Sequence, residues 1–356
     1  MLFRSDFNMQ DKVAASDGVI TGYGVIDNSL VYVYSQDASI LGGTVGEMHA
    51  KKISRLYDMA VKMGAPVVAL VDCAGLRLEE AADALNAFGE VYAKQAAASG
   101  VVPQITAVFG TCGGGMGVMA SLSDFTFMAE DGKLFVNAPN TLDGNRAEKC
   151  DTASAAYQAE VSGMADYTGT EDEVLAGIRQ LVSVLPMNND DFAEEQCADD
   201  LNRVCENLAD CVGDTEIALE NLADAGTFFE IKKAYAKNMV TGFMKLNGIT
   251  VGAVANRATV YDEEGKAEEL GTALTAEGCE KAADFVNFCD AFNIPVLTLT
   301  NASGFAATVD NEKRIAKAAA KLTYAYAEAT VPKVNVNMYQ ACKSDRLLWS
   351  KIRQGR

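Results

Sequence analysis

The chain has 356 residues, of which 49% are hydrophobic and 22% charged, and its 49 Asp+Glu against 30 Lys+Arg give a formal charge of −19. That composition describes a folded globular protein long enough for two domains, and its acidity works against nucleic acid or anionic membrane as a general partner. A single histidine, His49, excludes a His-rich metal site and leaves one residue to serve any Ser-His-Asp or Cys-His device.

The start, Met1-Leu2-Phe3-Arg4, runs into polar sequence without a signal-peptide pattern. No window approaches ~18 uninterrupted apolar residues. The nine cysteines include no Cys-x-x-Cys pair, and most of them lie in apolar or helical-looking stretches and read as small buried hydrophobes. A cytoplasmic chain is expected, without membrane insertion, nucleic-acid binding or a metal.

Val25 to Tyr34 reads as a β-hairpin turning at Asp27-Asn28. His49 is read as structural. Ile53, Leu56, Tyr57, Ala60 and Val61 then recur on one helical face. Pro66 stops that helix and opens a short apolar strand of the kind buried on both faces of a parallel sheet. The strand ends at Asp72-Cys73-Ala74-Gly75-Leu76-Arg77, where Arg77 is assigned a surface ion pair with Glu79 or Glu80, a phosphate contact being the alternative. A second helix follows with Leu85, Phe88 and Tyr92 inward, then a second strand from Ile105 to Phe109 ending at Gly110.

Thr111-Cys112-Gly113-Gly114-Gly115-Met116-Gly117 comes next, before the helix start at Val118. Glycines there let backbone N–H groups approach a ligand, and a helix N-terminus favours negative charge. Gly115-x-Gly117-x-x-Ala120 fits a dinucleotide pattern loosely. The eight residues from Met116 to Ser123 are too few for the usual crossover, and no Gly-Lys-Ser/Thr follows. In a parallel sheet the Gly75-Leu76 tip would lie beside the Gly113–Gly115 turn. One N–H from each tip would make a two-donor oxyanion site able to hold an enolate.

Asp190 to Asp224 carries twelve acids and one base, Arg203, with a weak helical stripe of Leu201, Val204, Leu208 and Val212. It reads as a solvated amphipathic linker. Beyond it Met244 to Val254 forms a second hairpin around Asn247-Gly248. Ala282, Phe285, Val286 and Cys289 repeat the helical stripe, and Pro295 opens a second apolar strand. The Pro66 and Pro295 runs are separated by 229 residues, as are Val102-Pro103 and Val331-Pro332. Thr21-Gly22-Tyr23 and Thr241-Gly242-Phe243 are separated by 220, the difference falling on an insertion near Tyr261–Gly265. Two copies of one domain follow, over 1–186 and 227–356, joined by an acidic helical linker at 187–226.

In several stretches the chain resembles the carboxyltransferase subunits of biotin-dependent acyl-CoA carboxylases and decarboxylases, of the propionyl-CoA carboxylase β and methylmalonyl-CoA decarboxylase α type. The matching stretches are Gly22-Tyr23-Gly24, Ser35-Gln36-Asp37, Gly46 to Lys52, Cys112 to Gly115, Phe288 to Pro295 and Tyr324 to Lys333. The resemblance implies an α/β fold of two tandem crotonase-like (ClpP/crotonase) ββα-type domains. It implies carboxyl transfer between carboxybiotin, carried on a separate protein, and an acyl-CoA such as propionyl-CoA or acetyl-CoA, through a thioester enolate. A decarboxylase α subunit and a non-catalytic acyl-CoA-binding or assembly chain are the alternatives. The acyl-CoA oxyanion hole falls on the N–H groups of Leu76 and Gly115, with Gly114 adjacent. Ala74, Gly75 and Gly113 line the substrate, and a side chain at Gly115 is expected to meet the thioester oxygen. A biotin-side hole falls on Phe305, with Gly304 beside it. Implied partners are a biotin carboxyl carrier protein, biotin carboxylase or membrane decarboxylase subunits, and further copies of the chain in a homo-oligomer.

The chain departs from the family pattern at Asp72 to Arg77, where the family has Asp-Ser-Gly-Gly-Ala-Arg. The family's leading segment before residue 1 is missing. The offset of 229 also places Lys343 and Ser344 where Gly114 and Gly115 have their counterparts. The second domain is therefore expected to be incomplete and turnover by this chain alone to fall below family rates.

Overall fold

A computed structural model describes residues 16–145, 149–192, 197, 199–200, 202–205, 208, 211, 213–261 and 265–338. Lys343, Ser344, Leu201, Val212 and the insertion at 262–264 lie outside the described residues. The chain divides into two compact units. One holds residues up to Ser183 with Met187–Asn189, and the other holds Val184–Pro186 and the residues from Asp190 onward.

The first unit begins with the antiparallel hairpin β1 (Val19–Ile26) and β2 (Ser29–Gln36), turning at Asp27-Asn28. Both turn residues have positive φ, which Asn and Asp tolerate better than branched residues. Helix α1 (Glu47–Met63) buries Ile53, Leu56, Tyr57 and Ala60, the predicted stripe without Val61. It ends one step before Pro66 would act, because Gly64 takes the left-handed conformation at φ 62° and closes the helix. Strand β3 (Val67–Cys73) then pairs parallel with β2.

Helix α2 (Ala81–Ala98) buries Ala84, Ala87, Phe88 and Val91. Leu85 is 65% exposed, not inward as its size suggested. The small alanines form the packed face, because α1 and α2 lie close against each other. Strand β4 (Gln104–Gly113) continues past Gly110. Its pairing with β3 shifts register between Val71↔Val108 and Cys73↔Cys112. Asp72 Oδ1 fills that bulge by accepting the Thr111 N–H at 2.9 Å, and a Cβ on Gly110 would collide with it. Helix α3 (Gly115–Leu122), strands β5 (Phe125–Ala129) and β6 (Lys133–Phe135), helix α4 (Ala155–Glu160), strand β7 (Tyr167–Gly169) and helix α5 (Glu171–Val184) complete the unit. Its sheet runs β1-β2-β3-β4-β5-β7, with β6 pairing the tip of β4.

The expected linker is not a separate element. Met187–Asn189 pack with the first unit, where Asn188 Nδ2 donates to Gly64 O at 2.8 Å. No α-helix runs along the described residues between Asp190 and Gly213, and Val204 stands exposed. Helix α6 (Thr215–Leu222) instead buries Ala218 and Leu219 against Val240, Met244 and Val251 of the second unit. Acidic residues on its solvent side hid this apolar face from a charge count.

The second unit contains β8 (Phe229–Ile231), β9 (Met239–Leu246), β10 (Ile249–Asn256), β11 (Thr259–Tyr261), β12 (Ala267–Glu269), β13 (Ala273–Leu274), α7 (Ala276–Ala291), β14 (Val296–Thr300), β15 (Gly304–Phe305), α8 (Val309–Glu312), α9 (Ile315–Glu328) and β16 (Lys333–Asn337). Its main sheet runs β16-β14-β10-β9-β8. Helix α7 buries Ala282, Phe285, Val286 and Cys289, as the stripe required. The two units share their hydrogen-bond registers. Gly22↔Val33 recurs as Gly242↔Ala253, Tyr32↔Val67 as Gly252↔Val296, and Val67↔Gln104 as Val296↔Lys333. No helix among the described residues is long and apolar enough to cross a membrane.

Candidate active site

Strand tips β3 and β4 abut in the first unit. A Cβ added to Gly75 would lie 3.1 Å from Gly113 O, and one added to Gly113 would lie 3.4 Å from Ala74 O. Gly75 sits at φ 113°, which a side chain would strain. Past it, Leu76 forms a parallel bridge with Val45. Val45 N–H donates to Gly75 O at 2.9 Å, and Arg77 N–H donates to Val45 O at 3.0 Å. The pairing uses the residues on either side of Leu76, so the Leu76 N–H faces away from Val45.

Helix α3 begins directly after β4. Gly114 caps the helix at φ 60°, ψ −123°, and donates its own N–H to Phe135 O at 3.0 Å. Gly115 is the first helical residue, where an N–H has no partner within the helix. The Leu76 and Gly115 N–H groups thus come from two adjoining tips, with the partial positive charge of a helix start behind one of them.

The direction of Gly115 differs from expectation. Its Cβ would meet Tyr92 Oη at 2.8 Å and Phe88 Cε1 at 3.0 Å. The Tyr92 hydroxyl also donates to Gly115 O at 2.8 Å. A side chain there would drive into α2 and not, as expected, toward a thioester oxygen. Gly114 is the residue whose Cβ would enter open space, with nothing within 4 Å.

Arg77 also departs from its expected surface ion pair. It is 1% exposed and bonded to Asp17 Oδ1 at 2.7 Å and Glu80 Oε1 at 2.9 Å. Asp17 was missed in the sequence, because nothing local links it to a residue 60 positions on. His49 is structural and fully buried. Its Nδ1–H donates to Asp17 O at 2.9 Å, and Nε2 accepts from the Gln36 amide at 3.1 Å. Burial holds its pKa down at about 3, against an ordinary 6.5. Unfolded His49 therefore takes up a proton near pH 6.5 while folded His49 does not, and stability falls as pH drops from 6.5 toward 3. The slope is at most about 1.4 kcal/mol per pH unit. Asp124 acts in the opposite sense, since burial raises its pKa to about 7. Urea unfolding across that range should show a shallower acid loss in His49→Gln than in the wild type, and equal slopes would place the titration elsewhere.

The second unit repeats the first tip. Leu274 and Phe305 form the parallel bridge, each 229 residues beyond Val45 and Leu76. Ala306 N–H donates to Leu274 O at 2.9 Å, as Arg77 does to Val45. Gly304 has φ 130° where Gly75 has 113°. Phe305 is 41% exposed, and its N–H likewise faces away from the bridge. The expected partner glycines would fall at Lys343 and Ser344, outside the described residues. Among the described residues no group of three or more His, Cys, Asp or Glu is placed to hold a metal ion.

Comparison with known proteins places the chain in a family. The model of the carboxyl transferase domain matches residues 2–342. The propionyl-CoA carboxylase beta chain of Roseobacter denitrificans is 41% identical over 346 residues, covering 93% of this chain and 66% of the relative. The methylmalonyl-CoA decarboxylase subunit alpha of Propionigenium modestum is 38% identical over 346 residues, covering 93% of this chain and 65% of the relative. A crystal structure of transcarboxylase 12S, a hexamer with hydrolysed methylmalonyl-coenzyme A bound, superposes with a TM-score of 0.84 at 33% identity, covering 93% of this chain and 65% of that one. The chain thus spans just under two thirds of the length of these relatives. Its α/β fold, its repeated strand tips and a match along nearly its whole length agree, and the chain belongs to the carboxyl transferase domain family.

Proposed function

We propose that the chain carries the acyl-CoA half of a biotin-dependent carboxyl transfer, with two tandem crotonase-like domains as its scaffold. The observation that carries this reading is the close approach of the two strand tips at Gly75 and Gly113, which supports Leu76 and Gly115 as paired N–H donors. Such donors stabilise an oxygen that gains negative charge as the thioester becomes an enolate. Propionyl-CoA and acetyl-CoA are the substrates proposed, and relatives of both carboxylase and decarboxylase type leave the direction common to one site. Carboxybiotin on a separate carrier would supply the carboxyl group. The Phe305 N–H, with Gly304 beside it, is one donor suited to its ureido oxygen. The relatives' assembly suggests biotin carrier and carboxylase or decarboxylase subunits as partners, and a homo-oligomer.

Two N–H donors to one carbonyl are worth about 0.5–1.5 kcal/mol each. Propionyl-CoA should therefore bind about tenfold more tightly than S-propyl-CoA, the thioether without the carbonyl oxygen. Isothermal titration of the purified chain with both ligands checks this. Equal affinities would remove the oxyanion reading of Leu76 and Gly115.

A further inference from the structure

Arg77 stands one residue beyond Leu76, and all five of its N–H donors are directed at protein. Nη1 donates to Asp17 Oδ1 at 2.7 Å and to Glu80 Oε1 at 2.9 Å. Nη2 donates to Thr44 O at 2.7 Å and to Asp17 O at 3.4 Å, and Nε donates to Thr44 Oγ1 at 3.4 Å. No donor remains for a phosphate or carboxylate of a substrate. The guanidinium instead grips the backbone around Leu76 from several sides. Thr44 precedes Val45, whose N–H and C=O bond the residues flanking Leu76. Glu80 extends the grip, since its Oε2 accepts the N–H of Glu47, the first residue of α1, at 2.7 Å. Gly46 makes room for it, because a Cβ there would collide with Glu80 Oε1 and Arg77 Nη1.

The second unit shows that the bridge itself does not require this. Leu274 and Phe305 pair in the same way, yet Ala306 stands where Arg77 would fall at the offset of 229. The arginine is thus an addition to one tip, at the hole assigned to acyl-CoA. We propose that Arg77 is a positioning residue for the acyl-CoA oxyanion hole. Its ion pairs with Asp17 and Glu80 hold the Leu76 N–H aimed at the acyl oxygen. This inference rests on reading Leu76 and Gly115 as the oxyanion donors.

The preference for propionyl-CoA over S-propyl-CoA is the readout, because a merely structural arginine would leave that ratio alone in any folded variant. Removing Arg77 by itself would leave Asp17 and Glu80 buried without their cation, so the main variant neutralises all three as Asp17→Asn/Arg77→Met/Glu80→Gln. It should keep cooperative unfolding and its affinity for S-propyl-CoA, while the tenfold preference falls to about threefold, the share left by the Gly115 donor alone. Arg77→Lys keeps the charge without the planar fork and should lower the preference partway. A folded triple variant with the preference intact overturns the proposal. Should the triple variant unfold, Arg77→Lys decides, and an undiminished preference there overturns it equally. A wild-type chain with no preference at all would instead defeat the oxyanion reading, and this inference with it.

Discussion

Gly114→Ala should lower carboxyl transfer to propionyl-CoA by about 10²–10³-fold, the effect of losing one oxyanion donor. Gly114 holds φ 60° with ψ −123°, a combination open to glycine and closed to residues with a Cβ. Alanine would relieve the strain by rotating the peptide that joins residues 114 and 115. That peptide carries the Gly115 N–H, so the donor turns from the site while the helix behind it survives. The same substitution should remove most of the binding preference for propionyl-CoA over S-propyl-CoA. Steady-state transfer from carboxybiotin, together with titration of both ligands, checks the prediction. Full activity in Gly114→Ala would show that this peptide does not face the reacting oxygen. Gly115→Val is not an equivalent test, because its side chain would strike Tyr92 and Phe88 and report on the packing of α2.

The largest stability effect is expected at Phe243. The residue is 0% exposed, and its ring lies 5.0 Å from Phe285 and 5.7 Å from Phe288. Phe243→Ala should destabilise the chain by about 3–5 kcal/mol through lost burial and an unfilled cavity. The counterpart in the first copy is Tyr23, 220 residues earlier and 75% exposed. Its ring lies 5.8 Å from Tyr32 of the same hairpin. Tyr23→Ala should cost no more than about 1 kcal/mol. Denaturant unfolding of both variants tests the contrast. A loss at Tyr23 as large as at Phe243 would mean that β1 is covered in solution.

That contrast marks what the sequence determined by itself. The apolar stripe from Ile53 to Ala60, the Pro66 and Pro295 strand starts and the turns at Asp27-Asn28 and Asn247-Gly248 are local patterns, and each became the element it indicated. The two-copy organisation was legible for a related reason. Register follows from turn position and strand length, so matched landmarks at offsets of 229 and 220 gave matched hydrogen-bond partners. The Gly113–Gly115 turn was readable as a place for backbone donors, because few other residues permit so close an approach.

Only the tertiary structure decided which faces are covered and where donors point. Tyr23 and Phe243 occupy equivalent positions, yet β8 pairs alongside Phe243 while among the described residues β1 pairs with β2 alone. Leu85 looked like core and is exposed, since the narrow contact of α1 with α2 selects alanines. Arg77 looked like a surface residue and is buried, because Asp17, distant in sequence, supplies its countercharge. Helix α6 was concealed by its acids, although its other face joins a core. The direction of an N–H likewise depends on which neighbour its strand pairs with. The bridge from Val45 turns the Leu76 N–H away from Val45, and no pattern along the chain encodes that pairing. Burial and hydrogen-bond direction are properties of the partner as much as of the residue, and the partner is fixed only when the chain folds.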